Sequence, residues 1–321
     1  MKKTVLLLET IADEALSLLD ENTRVIPAYE ARSLADILET EEIHAVITRG
    51  KGQINPALLD ACPALEVVAR CGVGLDNVDV QAATERGVKV VNAPGSNAGT
   101  IAEHALTLML MLMRNTYESA LQVKAGAWNW RNQFSGDELS GKTLGILGMG
   151  NIGKRVARLG EAFGMNIVYW DKQSTDLLLY QSLSFEAVLQ QADIISVHLP
   201  LTDETDQILS TRELSLMKPN AILINTARGA LIDEAALLQA LDEGTIGGFG
   251  ADVLSQEPPA PDNQLAKHPK TIITPHVGSL TATTYRLMCI YTVQNVVAIL
   301  AGGTPDPRSI FNREALDLFQ E

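Results

Sequence analysis

Short aliphatic runs alternate with helical patterns along most of the chain. Up to about residue 98, Thr4 to Leu8, Arg24 to Ile26, Ala45 to Thr48, Glu66 to Ala69 and Lys89 to Val91 predict strands. Between them Ala12 to Leu19, Leu34 to Leu38, Pro56 to Asp60 and Val80 to Glu85 predict helices. Apolar runs this short suit strands covered on both faces, and their alternation with helices implies a doubly wound parallel sheet. The turn-rich stretch Asn92 to Thr100 leads into a long helix, Ile101 to Arg114. From Thr143 to about Thr274 the pattern resumes, with strands at Asp193 to Val197, Ala221 to Asn225, Gly247 to Gly250 and Thr271 to Ile273 and helices at Phe185 to Gln190 and Glu234 to Asp242. A last helix, Leu280 to Leu300, presents Thr283, Leu287, Ile290, Val293 and Val297 on one mostly apolar face and is expected to run back over the first domain. Gly302 to Glu321 reads as a short tail.

One stretch carries more than periodicity. Thr143 to Leu147 reads as a buried strand, Gly148, Gly150 and Gly153 spell G-x-G-x-x-G, and Ile152, Val156, Leu159 and Phe163 recur at helical spacing. A second strand, Asn166 to Trp170, ends at Asp171. In such a unit the first glycine permits a tight turn, the second lets the backbone approach a pyrophosphate, and the third lets the helix pack on the strand. The free N–H groups of the helix start, with Asn151 and Ile152, face the phosphates. Asp171, eighteen residues past Gly153, suits an adenosine ribose 2′-hydroxyl and repels a 2′-phosphate, so NAD is favoured over NADP. Lys172 beside it softens that preference.

Composition narrows the class. The 321 residues suit two domains, and 46% hydrophobic residues fill two cores. A net charge of −14 argues against nucleic acid or an anionic membrane as partner, so an anionic substrate needs local arginines. Cys62, Cys71 and Cys289 are too scattered for a disulfide frame or a zinc site; no metal is expected, and the thiols suit a cytoplasmic protein. Acidic Glu9, Asp13 and Glu14 break the apolar start, which reads as a first strand and not a signal peptide. Ala105 to Met113 is too short to span a bilayer and reads as a buried helix.

Three loops after strands of the second domain hold the candidate chemistry, because ligands of open parallel sheets sit beyond the strands' carboxyl ends. They contribute Arg228, Glu257 and His276. Reducing a 2-oxo acid needs a proton donor at the carbonyl oxygen, which suits a histidine. A carboxylate beside it fixes the ring and favours its charged form, and a guanidinium binds the substrate carboxylate while polarising the carbonyl. His198, in Val197 to Thr202 (VHLPLT), also follows a strand and rivals His276, whereas His44, His104 and His268 read as incidental.

The motifs NTARG (Asn225 to Gly229), Glu257-Pro258, TPHVGS (Thr274 to Ser279), LGMGNIG (Leu147 to Gly153), VHLPLT and RCGVGLDNVD (Arg70 to Asp79) resemble the D-2-hydroxyacid dehydrogenase family, in order across nearly the whole chain. The resemblance implies a Rossmann NAD-binding domain at 100–282 and a flavodoxin-like substrate domain at 1–99 with 283–321. It implies catalytic roles for Arg228, Glu257 and His276, with His276 as acid/base, and backbone contacts to the substrate carboxylate from Cys71, Gly72, Val73 and Gly74. Thr100, His198, Leu199, Pro200, Thr226, Ala227, Asp252 and Gly278 would line the cofactor. The family also implies a homodimer through the helix starting near Ile101, with Trp128 and Trp130 in an arm beyond it.

Within the family, RCGVGLDNVD and NAPGSN most resemble phosphoglycerate dehydrogenases, and Arg49-Gly50-Lys51 after a strand could meet a phosphate. No regulatory domain is expected after Glu321. Glyoxylate and hydroxypyruvate reductases carry the same trio and remain the alternative. An NAD-sensing corepressor-like binding protein is the alternative outside enzymes, and formate dehydrogenases fit less well because a glutamine is expected in place of Glu257.

Overall fold

The computed structural model describes residues 2–30, 33–173 and 179–316. The chain divides into two compact units, Met1–Asn97 with Leu280–Glu321, and Ala98–Ser279. Strands β1 (Thr4–Leu7), β2 (Arg24–Pro27), β3 (Ala45–Thr48), β4 (Val67–Arg70) and β5 (Lys89–Val91) belong to the first unit, and β6 (Thr143–Leu147), β7 (Asn166–Trp170), β8 (Gln181–Ser182), β9 (Ile194–Val197), β10 (Ile222–Asn225), β11 (Gly248–Ala251) and β12 (Thr271–Ile273) to the second. The first unit's helices are α1 (Asp13–Asn22), α2 (Leu34–Thr40), α3 (Pro56–Asp60) and α4 (Val80–Glu85). The second unit has α5 (Ala98–Met113), α6 (Thr116–Lys124), α7 (Asn151–Ala162), α8 (Phe185–Gln191), α9 (Thr211–Leu216), α10 (Glu234–Asp242) and α11 (Gln264–Lys267). The chain then re-enters the first unit as α12 (Ala282–Leu300).

The first unit is a parallel sheet in the order β2-β1-β3-β4-β5, the flavodoxin-like winding. Alternate residues serve opposite faces: Val5, Leu7, Ala45, Ile47, Val67 and Ala69 pack under α1 and α12, while Leu6, Val46, Val68 and Val90 pack under α2, α3 and α4. Helix α12 is rotated from the sequence expectation: Thr283 and Leu287 are exposed, and the buried face carries Thr284, Met288, Cys289, Thr292, Val293 and Val296. Small residues win that face because it lies directly on the sheet, where Thr292 Oγ1 donates to the Arg70 carbonyl at 3.3 Å. The C-terminal stretch is more than a tail. Val91 and Ile310 form an antiparallel bridge, and Asn312 accepts from the Val90 amide and donates to the Val88 carbonyl, both at 2.9 Å. Residues 317–321 of that stretch lie outside the described residues.

The second unit is a seven-stranded parallel sheet, β12-β11-β10-β9-β6-β7-β8, whose winding reverses between β6 and β9. This is the Rossmann arrangement, with the ligand crevice expected at the reversal. On α7 the buried stripe is Gly153, Val156, Ala157 and Gly160, whereas Phe163, expected on that face, is exposed. The glycines explain the rotation, since a Cβ at Gly160 would come within 2.7 Å of Leu144. Periodicity also missed α6, which buries no residue and so has no apolar stripe to read. No described helix is long and apolar enough to cross a membrane.

Candidate active site

Strand β6 ends at Leu147, and the chain turns through Gly148 and Gly150 into α7. Gly148 has φ +96°, and a Cβ there would lie 2.6 Å from the His198 carbonyl oxygen. A Cβ on Gly153 would lie 2.1 Å from the Gly148 oxygen, so helix and turn touch through bare backbone. Gly150, the residue capping α7, differs: a Cβ there would meet nothing within 4 Å. That open space at a helix N-terminus is what a pyrophosphate requires. Asp171 follows β7, accepting the Met149 amide on Oδ2 at 2.6 Å and the Gln173 amide on Oδ1 at 2.9 Å. The acid is therefore tied to the glycine turn, while Lys172 pairs with Glu204. Exposed Asn151 accepts from Arg155 Nε at 3.1 Å, and half-buried Ile152 packs into the core under α7.

The other expected cofactor residues lie in the same unit. Thr100 is half-buried in the first turn of α5. Leu199 is buried against the position a Gly148 Cβ would take, and Pro200 is exposed. Thr226 Oγ1, just past β10, is buried without a hydrogen-bond partner, and the Ala227 amide donates to Asn225 Oδ1 at 3.0 Å. Open turn, tethered acid and orphaned hydroxyl fit a dinucleotide. The rival histidine, His198, has its Nε2 2.9 Å from Ser196 Oγ, and burial pushes its pKa down to about 4, which favours the neutral ring near pH 7.

Arg228, Glu257 and His276 stand on loops after β10, β11 and β12. Asn225 Nδ2 donates to the Arg228 carbonyl at 2.8 Å, and half-buried Arg228 donates from Nη1 to the Ala227 carbonyl at 2.7 Å. A Cβ on Gly229 would lie 1.9 Å from the Leu254 carbonyl carbon, so the arginine turn rests against the segment leading to Glu257. Glu257 accepts the Leu254 amide on Oε1 at 3.0 Å, and its Oε2 is 2.7 Å from His276 Nδ1. The imidazole is about half exposed, with 48% of its side chain accessible, so a solute can reach it.

His276 has φ +53°, a left-handed conformation that costs a non-glycine residue on the order of 1 kcal/mol and needs support from its surroundings. Asp252, 2% exposed, supplies it by accepting the amides of Val277 at 2.9 Å and Gly278 at 2.7 Å and the Thr274 hydroxyl at 2.6 Å. His104, read as incidental, joins this group: its Nε2 lies 2.9 Å from Thr274 Oγ1 and 3.5 Å from Asp252 Oδ1. His104 and Thr274 stand 170 positions apart, so no local sequence signal links them.

The expected substrate residues form a separate group in the first unit. The Cys71 amide donates to the Thr48 carbonyl and the Gly72 amide to the Arg70 carbonyl, both at 2.8 Å. Asn92 Nδ2 donates to the Val73 carbonyl at 2.7 Å, and Arg70 donates to the Gly74 carbonyl. Glu9 is the residue the sequence reading missed here. Its Oε1 accepts the amides of Arg49 (2.6 Å), Gly50 and Lys51 (both 2.8 Å), and its Oε2 lies 3.1 Å from the Arg49 guanidinium. Those hydrogen bonds hold the Glu9 carboxyl below the ordinary carboxylate range although burial works the other way. The turn considered for a phosphate is thus occupied by an internal carboxylate.

Comparison with known proteins gives the family. The family described as D-isomer specific 2-hydroxyacid dehydrogenase, NAD binding domain, matches residues 106–278. A glyoxylate reductase of Aeropyrum pernix is 39% identical over 305 residues, covering 92% of this chain and 89% of that one. A D-3-phosphoglycerate dehydrogenase of Archaeoglobus fulgidus is 34% identical over 303 residues, covering 93% of this chain but only 57% of its own length, so this chain spans little more than half of that relative. Among solved structures, an NADPH-dependent glyoxylate/hydroxypyruvate reductase of Sinorhizobium meliloti, in complex with NADP and malonate, superposes with a TM-score of 0.83 at 32% identity over 97% of this chain and 98% of that one. The chain belongs to the D-isomer-specific 2-hydroxyacid dehydrogenase family and carries its NAD-binding domain.

Proposed function

We propose that the protein interconverts a small D-2-hydroxy acid and its 2-oxo acid with NAD. The observation that carries the reading is the 2.7 Å pair of Glu257 and His276 at the same sheet edge as the glycine turn. Glu257 engages Nδ1 and sets the ring's orientation, which assigns Nε2 to proton transfer. In the reductive direction His276 gives its proton to the carbonyl oxygen; in the oxidative direction it takes the hydroxyl proton. Arg228 binds the substrate carboxylate and draws charge onto the carbonyl oxygen. NAD, when bound, supplies the hydride acceptor or, reduced, the donor. His276→Ala should abolish turnover while NADH still binds; wild-type turnover in that variant overturns the assignment.

For the substrate, the motif resemblance puts 3-phosphoglycerate first. One observation favours an unphosphorylated acid such as hydroxypyruvate or glyoxylate: Glu9 consumes the amides of Arg49 to Lys51 and neutralises the Arg49 guanidinium. Rates with NADH plus hydroxypyruvate, glyoxylate or longer 2-oxo acids, set against NAD plus 3-phosphoglycerate, separate the two.

A homodimer built along α5 is part of this reading. Tyr117, Leu121, Val123, Trp128 and Phe134, in and after α6, are exposed, and Met111–Met113 line an adjacent groove of about 1330 Å³. Exposed apolar side chains that follow one another along one segment suit an association surface. Light scattering should give twice the chain mass, and a monomer at micromolar concentration overturns it. The cysteines are free and buried, which supports a reducing, cytoplasmic setting.

A further inference from the structure

We propose that His104, on α5, is a positioning residue for His276. The inference rests on the acid/base reading of His276 and adds a residue to it.

The argument turns on one proton. Thr274 Oγ1 has a single hydrogen, and three possible acceptors lie within reach: Asp252 Oδ1 at 2.6 Å, His104 Nε2 at 2.9 Å and the Ala251 carbonyl at 3.3 Å. The proton goes to the carboxylate, because the charge-assisted bond is the shorter and stronger. Thr274 Oγ1 can then only accept from His104 Nε2 at 2.9 Å, so that nitrogen carries a hydrogen in either charge state of the ring. His104 therefore orients the Thr274 hydroxyl onto Asp252.

Asp252 is the anchor of the loop. It holds the amides of the two residues after His276, and the left-handed backbone of His276 depends on those bonds. Gly278 shows how close the group is, since a Cβ there would lie 2.8 Å from Asp252 Oδ2 and 3.3 Å from the His104 ring. Without the His104 donor, Thr274 Oγ1 loses the bond that fixes its rotamer, so the hydroxyl and the Asp252 carboxylate it serves are held less tightly. The loop then samples other conformations, and His276 spends less time where it can transfer a proton.

The test compares His104→Leu, which removes the donor, with His104→Gln, whose Nε2 can replace it, and with Thr274→Val. Three quantities are read: kcat and KM for the best 2-oxo acid at saturating NADH, the NADH Kd by fluorescence, and amide exchange at Val277 and Gly278 in the cofactor-free protein. In His104→Leu, exchange should quicken and kcat should fall, each about tenfold, with NADH Kd changed less than about threefold. His104→Gln should recover both to within about threefold, and His104→Leu should add nothing in the Thr274→Val background. The proposal is overturned by unchanged exchange or unchanged kcat in His104→Leu, by a His104→Gln variant as impaired as His104→Leu, or by losses that multiply in the double variant. If His104→Leu does not fold, Thr274→Val against Thr274→Ser, which keeps the hydroxyl, reads the same link by the same criteria. A wild type that turns over no 2-oxo acid refutes the function, while exchange still reports on His104.

Discussion

The Nδ1 atom of His276 lies 2.7 Å from Glu257 Oε2, joining two loops that follow different strands of one sheet. The same carboxylate accepts the Leu254 amide through its other oxygen, so it is oriented before it meets the imidazole. On the proposed acid/base reading, holding Nδ1 in this way leaves Nε2 to transfer the proton.

His276→Asn should lower kcat by about 10²- to 10⁴-fold with little change in NADH affinity, the usual loss on removing a general acid. Glu257→Gln should cost less, on the order of tenfold to a hundredfold, because the ring remains but loses its orienting charge. Since Glu257 acts through His276, the double variant should be no worse than His276→Asn alone, a coupling that steady-state kinetics reads directly.

Asp171→Ala should raise the KM for NADH by about tenfold, the cost of losing a charge-assisted hydrogen bond, and should lower the KM for NADPH by removing an anion from the 2′-position. Equal efficiency of the wild type with both cofactors would overturn the preference assigned to Asp171.

The glycines separate stability from binding. Gly153→Ala and Gly229→Ala place a methyl group 2.1 Å and 1.9 Å from backbone atoms, so each should destabilise by about 1–3 kcal/mol and lower Tm by several degrees. Gly150→Ala has φ −75° and open space around the new carbon, so its Tm should hold while NADH affinity drops. Thermal melts with and without NADH distinguish the two kinds of loss.

His198 predicts an acid limb of stability. Its pKa is about 4 in the folded chain, against about 6.5 when unfolded, so between these values the unfolded state binds more protons. Stability should be full above about pH 6.5 and fall as pH drops toward 4, by up to about 3 kcal/mol from this group. Urea unfolding of the wild type and His198→Asn at pH 7 and pH 4.5 should show a shallower loss in the variant.

Two parallel α/β halves, the glycine turn and the loops that bear Arg228, Glu257 and His276 are legible in the order of the amino acids. Apolar periodicity reports which face of a segment is buried, and glycines mark where backbone must approach closely; both are local properties. Periodicity misjudged faces where small residues decide the packing, as with Phe163 just past α7 and Leu287 on α12, because side-chain size says little about how near a helix can lie to a sheet. Tertiary structure alone decided which distant polar groups satisfy one another. Glu9 fills the amides of Arg49 to Lys51, half-buried His198 is held neutral, and His104 reaches the loop of His276 from 170 positions away. The reason is physical: a buried polar atom takes the partner that strand order brings within about 3 Å, and strand order is a property of the whole sheet.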